Sequence, residues 1–122
     1  GALGVGTDTP ITSGLIRATN DVVAFYSSDR RLKTNILPIP NALEKLSKLS
    51  GVTFDWIPKP GIHENEGHDI GIIAQEIEKI FPEIVQTREN GYKAVKYDRL
   101  VAVLIQAVNE LKTEIDKLKN KK

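Results

Sequence analysis

Chemistry in this chain has few places to reside. The stretch Ser27-Ser28-Asp29-Arg30-Arg31-Leu32-Lys33-Thr34-Asn35-Ile36 puts two serines, a carboxylate and three cations within ten residues. A serine hydroxyl becomes a useful nucleophile once a neighbouring base removes its proton, and a lysine amine serves when it is uncharged. Serine–lysine pairs are an established variant of that arrangement. Ser28 and Lys33 lie five positions apart. On a helix five steps turn through roughly 500°, off a shared face, and on a strand an odd separation points two side chains to opposite faces. Regular structure therefore keeps them apart, and a bend around Asp29-Arg30, or contact between neighbouring chains, is needed to join them. Partial burial and the charges of Arg30 and Arg31 favour an uncharged amine. A carboxylate paired with Lys33 would do the reverse, so Asp29 is assigned to forming the turn or to pairing an arginine. Without further context Ser-Asp before a polar run reads as a cap or turn, with a solvated lysine nearby. Ser27 is the competing nucleophile, six positions from Lys33.

A second cluster lies in residues 58–69 (PKPGIHENEGHD), where His63 and His68 accompany Glu64, Glu66 and Asp69. Their spacing matches no metal-ligand pattern, so the stretch reads as a solvated loop with no metal. Gly4-Val5-Gly6 lacks the second half of a phosphate loop and no strand leads into it. No cofactor is implied.

The elements that would position these groups follow from the rest of the chain. With 122 residues there is room for one domain, and a net charge of +1 argues against a nucleic-acid partner. The chain has no cysteine, hence no disulfide framework. No apolar run approaches the roughly 20 residues of a membrane span, and none reads as a signal peptide. The start Gly-Ala-Leu-Gly, without methionine, suggests the C-terminal piece of something longer.

Residues 1–13 are rich in Gly, Thr and Pro and are expected to be irregular. The runs Leu15–Thr19 and Val22–Tyr26 favour strands, with Asn20-Asp21 as a turn between them. Pro38 and Pro40 call for an extended segment. Asn41 and Glu44 then propose a capping box for a helix bearing Leu43, Leu46 and Leu49, which Gly51 would end. Val52–Ile57 alternates as a strand with Val52, Phe54 and Trp56 on one face. Ile70–Ile73 is a short apolar run, expected to be a buried strand or helix entry. Ala74–Phe81 has helical spacing through Ile77 and Ile80 and is stopped by Pro82. Asn90-Gly91 between 84–88 and 92–97 is a strong hairpin signal.

From Arg99 to Lys122 no Gly or Pro intervenes, and Asp98 is a candidate N-cap. Val101, Leu104, Val108, Leu111, Ile115 and Leu118 form a heptad seam. Leu100, Ala102, Ile105 and Ala107 nearly encircle the first half of that helix with apolar residues, so burial against the body or against sister chains is expected there. The mixed charges of the second half argue against a membrane-surface helix.

The string Ser28 to Ile36 resembles the signature of the peptidase S74 family, the C-terminal intramolecular chaperone domains of bacteriophage tailspikes and fibres, known from endosialidases and found also in myelin regulatory factor-like proteins. The likeness continues through Val52-Thr53-Phe54-Asp55-Trp56, Ile70 to Glu76, Phe81-Pro82-Glu83 and Val95-Lys96-Tyr97, and ends with the helix Leu100 to Leu118. It implies an α+β fold: a small mixed domain with short strands and hairpins, whose long C-terminal helix joins a trimeric helical bundle. It implies residues 1–27 as the end of an upstream β-rich fibre and 28–122 as the chaperone, with 98–122 the oligomerising helix. The chaperone would drive trimeric assembly of the fibre and then cut itself free between Ser27 and Ser28, a single-turnover serine peptidase with Ser28 and Lys33 as its dyad and Asp29, Arg31 and Asn35 in support. Partners would be two sister chains and the chain's own upstream segment, with neither nucleic acid nor membrane. The setting would be a virion tail fibre precursor made in the host cytoplasm, with the chaperone domain released from the mature fibre. The rival is a non-catalytic trimerisation or adhesion tip that stays attached. β-branched residues at one seam position with leucine at the other favour two strands in isolated coiled coils; the trimer follows the resemblance instead.

Overall fold

The structure, a computed structural model, describes residues 3–5 and 15–121. The expectation of irregular structure over residues 1–13 lies outside these, except at Leu3–Val5. The chain forms two compact units, one from residues up to Asn35 with Phe54–Asp69, the other from Ile36–Thr53 with Ile70–Lys122.

In the first unit, β1 (Leu3–Val5) pairs in parallel with β2 (Ile16–Ala18), Leu3 opposite Ile16 and Val5 opposite Ala18. The expected pairing of 15–19 with 22–26 does not form. Residues 22–26 are neither helix nor strand, and Phe25 is 96% exposed. Strand preference in Val, Phe and Tyr expresses the fit of a side chain to a half-buried surface, and residues 22–26 stay exposed. Next, β3 (Val52–Asp55) pairs with β4 (His68–Gly71), where the chain passes from one unit to the other. The alternation holds, with Val52, Phe54 and Trp56 half-buried and Thr53 and Asp55 exposed. Ile70 lies on β4 but is 73% exposed, so the expected burial of that run is not reached at this residue.

The second unit holds the core. Here α1 (Ala42–Leu46), α2 (Ala74–Glu78) and α3 (Arg99–Lys119) surround buried Ala42, Ile77, Phe81, Ile84, Val103 and Ala107. Leu43, Leu46 and Leu49 pack against this cluster as their spacing predicts. The helix stops earlier than Gly51. Ser47 turns its hydroxyl to the Glu44 carbonyl, and the next amides reach back three residues, Lys48 to Lys45 and Leu49 to Leu46.

The capping box does not form either. Asn41 stands at the N-cap position in a left-handed conformation (φ 51°) and makes no side-chain cap, because capping by that residue needs extended backbone. Glu110 of α3 substitutes for it, accepting from the amides of Ala42 at 3.0 Å and Leu43 at 3.3 Å. Replacing Glu110 by glutamine keeps one acceptor but loses the charge and the second bond. We expect a loss of about 1–2 kcal/mol in denaturant unfolding, and an unchanged stability would remove this clamp from the account.

Pro82 begins a 3-10 turn (Pro82–Ile84), followed by β5 (Val85–Thr87) and β6 (Lys93–Val95) in an antiparallel hairpin. Gly91 takes φ +86°, and Asn90 Oδ1 accepts from the amide of Tyr92 at 2.9 Å, as Asn-Gly predicts. Lys93 ties the hairpin to α2 through Glu78 at 2.9 Å. Asp98 precedes α3 without capping it by its side chain, which pairs with Arg99 instead.

On α3 the stripe that meets the body is half-buried Leu100, Val103, Ala107 and half-buried Glu110. The adjacent seam, Val101, Leu104, Val108, Leu111, Ile115 and Leu118, is left 43–69% exposed. The body thus takes one stripe of the encircled half and leaves the other uncovered within the single chain. No helix among the described residues is long and apolar enough to cross a membrane.

Candidate functional site

The bend that the Ser28–Lys33 spacing requires is present, and Asp29 builds it. With extended backbone (φ −65°, ψ 133°), Asp29 caps a single 3-10 turn, Arg30–Leu32. Its Oδ1 accepts from the Arg31 amide at 2.8 Å. The turn closes through the Leu32 amide to the Asp29 carbonyl at 3.0 Å and the Lys33 amide to the Arg30 carbonyl at 3.1 Å. Lys33 leaves it extended, at φ −124° and ψ 149°, and its Nζ lies 2.7 Å from Ser28 Oγ.

The Arg31 guanidinium returns over the same turn. Its Nε donates to Asp29 Oδ1 at 3.1 Å and Nη2 to Oδ2 at 2.9 Å, a two-pronged contact. That guanidinium, and secondly the Arg31 amide, hold the Asp29 carboxyl below its ordinary pKa, while Asp29 raises that of Arg31. Since the shift is downward, any stability this contact gives is present above the ordinary carboxylate range. It fades as pH falls through the lowered value.

Ser28 is the serine in contact with Lys33, and Ser27 is not. Ser28, Asp29, Arg31 and Lys33 are all exposed in the single chain. Asn35 takes a left-handed conformation (φ 53°), which asparagine tolerates better than most residues, and marks the exit from the motif. The spacing announced the need for a turn; which of two adjacent arginines would grip Asp29 left no trace in residue types.

The histidines of the loop serve its own folding. The Asn65 amide donates to His63 Nδ1 at 2.9 Å, so Nε2 carries the ring proton and donates to the Ile57 carbonyl at 2.7 Å. Trp56 lies beside that ring at 5.0 Å and donates its indole N–H to Asp69 at 3.0 Å. His68 Nδ1 meets Asp55 at 2.7 Å. Among the described residues no three metal-ligating side chains converge.

At 2.7 Å the ammonium donates to Ser28 Oγ; when the amine is uncharged the same contact has the hydroxyl donating to nitrogen. A hydroxyl and an amine thus lie within proton-transfer distance, and the residues from Ser28 to Gln86 match the chaperone of endosialidase family, peptidase S74. The chain belongs to the peptidase S74 family. Its relatives are long proteins. The long tail fibre protein Gp37 of Enterobacteria phage K3 is 36% identical over 101 residues, 80% of this chain and 8% of that protein. Gp37 of Enterobacteria phage M1 is 36% identical over 104 residues, 82% of this chain and 41% of the relative. Myelin regulatory factor homolog 1 of Caenorhabditis elegans is 30% identical over 122 residues, 91% of this chain and 13% of its own length. This peptidase S74 chain thus spans less than half of each of these.

Proposed function

We propose that this chain is a self-cleaving intramolecular chaperone of a phage tail fibre, which brings three chains together and then severs itself from the fibre between Ser27 and Ser28. The observation that carries this reading is the 2.7 Å contact between Ser28 Oγ and Lys33 Nζ, at the residue where the family match begins. Residues 1–27 are then the fibre's end, 28–122 the chaperone, and 98–122 its oligomerising helix. The exposed seam on α3 is the surface that sister chains cover. The protein is made in the host cytoplasm as a fibre precursor, and the chaperone leaves the mature virion fibre.

In the reaction Ser28 Oγ attacks the Ser27 carbonyl carbon while Lys33 Nζ accepts the hydroxyl proton. The carbon–nitrogen bond breaks as the proton passes to the departing Ser28 amine, leaving an ester between Ser27 and Ser28 Oγ. Water then adds to that ester, giving a Ser27 carboxylate and restoring the hydroxyl. Asp29 and the Arg31 amide maintain the turn, and Asn35 sets the exit of the chain.

Exposure of both Ser28 and Lys33 favours a second reading, an oligomerising tip that stays attached. Intact-mass measurement on freshly made protein separates them. A fragment whose first residue is Ser28, lost in Ser28→Ala, is the expected result; full-length mass in the unaltered chain leaves the attached tip.

A further inference from the structure

Lys33 stands four residues from a carboxylate yet meets a hydroxyl. Asp29 would be the stronger partner for an ammonium, since charge-assisted contacts exceed those to neutral oxygens. Arg31 removes that competitor: its Nε and Nη2 occupy Asp29 Oδ1 and Oδ2, and its amide takes Oδ1 again. The charged groups on this turn are Asp29, Arg30, Arg31 and Lys33, and all four are exposed. Asp29 with Arg31 is the ion pair formed by this segment among the described residues.

We propose that Arg31 is a positioning residue that sequesters the Asp29 carboxylate and so reserves Lys33 for Ser28. The inference rests on the dyad reading above and adds a role which that reading does not need. The turn itself is closed by the Asp29 and Arg30 carbonyls, one Asp29 side-chain oxygen and backbone amides; the guanidinium is surplus to it. What the guanidinium changes is the availability of negative charge to Lys33. A freed carboxylate would draw the lysine away from Ser28 and hold it charged.

The test is the pH profile of self-cleavage. Chains of residues 1–122 are pulse-labelled by cell-free translation, transferred to buffers from mildly acidic to alkaline, and followed by the mass of the fragment beginning at Ser28. In Arg31→Gln the profile is expected to move to higher pH by about one unit, with cleavage about tenfold slower at neutral pH. Arg31→Lys, which keeps a cation but not the two-pronged contact, should fall between. In Asp29→Asn/Arg31→Gln the competing carboxylate is gone and an acceptor for the residue-31 amide remains, so the profile should return to that of the unaltered chain. A uniform slowing of Arg31→Gln at every pH, or a double variant no better than the single, overturns the inference and leaves Arg31 a structural residue. Failure of the dyad is a different result: no fragment from the unaltered chain, or an undiminished fragment from Ser28→Ala.

Discussion

Lys33→Arg is expected to abolish self-cleavage while leaving the fold and its oligomeric state intact. Arginine keeps the positive charge and can still donate to Ser28 Oγ. Its guanidinium does not give up a proton in a protein, however, so it cannot accept one from the hydroxyl. A positioned general base contributes roughly 10²–10⁴-fold to a rate, and a loss of that size leaves intact mass on the timescale in which the unaltered chain is cut. Circular dichroism and light scattering should match the unaltered chain, because Lys33 is exposed, its amide bond to the Arg30 carbonyl survives the change, and among the described residues its side chain hydrogen-bonds only to Ser28. Full cleavage in Lys33→Arg would show that the 2.7 Å contact is a surface hydrogen bond and not a proton path.

The second large effect concerns α3. Leu104 and Leu111 are 48% and 45% exposed in the single chain, so Leu104→Asn with Leu111→Asn takes from the body only the half of each side chain that it covers. If sister chains cover the seam, about half of each side chain's burial comes from assembly, about 1 kcal/mol per leucine. Six leucines in a trimer then cost about 6 kcal/mol, or roughly four orders of magnitude in association. Sedimentation should find monomers of unchanged helix content, with cleavage lost if assembly triggers it. The neighbouring stripe behaves oppositely: Val103 and Ala107 are buried by the body itself, and polar groups there would unfold the chain before they unmade any oligomer. An undisturbed oligomer in the seam variant would assign assembly to another surface.

What could be read from residue order was local. Asn90-Gly91 fixed its hairpin because its turn chemistry lies within the turn. The heptad of α3 was legible because a helix repeats its faces at short range, and a separation of five between Ser28 and Lys33 excluded helix and strand alike. Contacts between distant segments left no such mark. Glu110 caps α1 from 68 positions away, and nothing about a glutamate inside a charged helix announces that use. Asn41 offered the more obvious cap and was displaced by its left-handed backbone. Likewise β2 pairs with β1, not with the apolar run beside it, because strand partners are chosen by tertiary packing as much as by preference.

The ion pair between Arg17 and Glu64, at 3.1 Å, spans the peptide link at which the chain is proposed to part. Both side chains are about one-third exposed, and such a pair contributes roughly 0–1 kcal/mol, screened by salt. Scission would turn this internal contact into a leash between separate molecules. Whatever that contact adds to holding the two pieces together would then weaken as ionic strength rises.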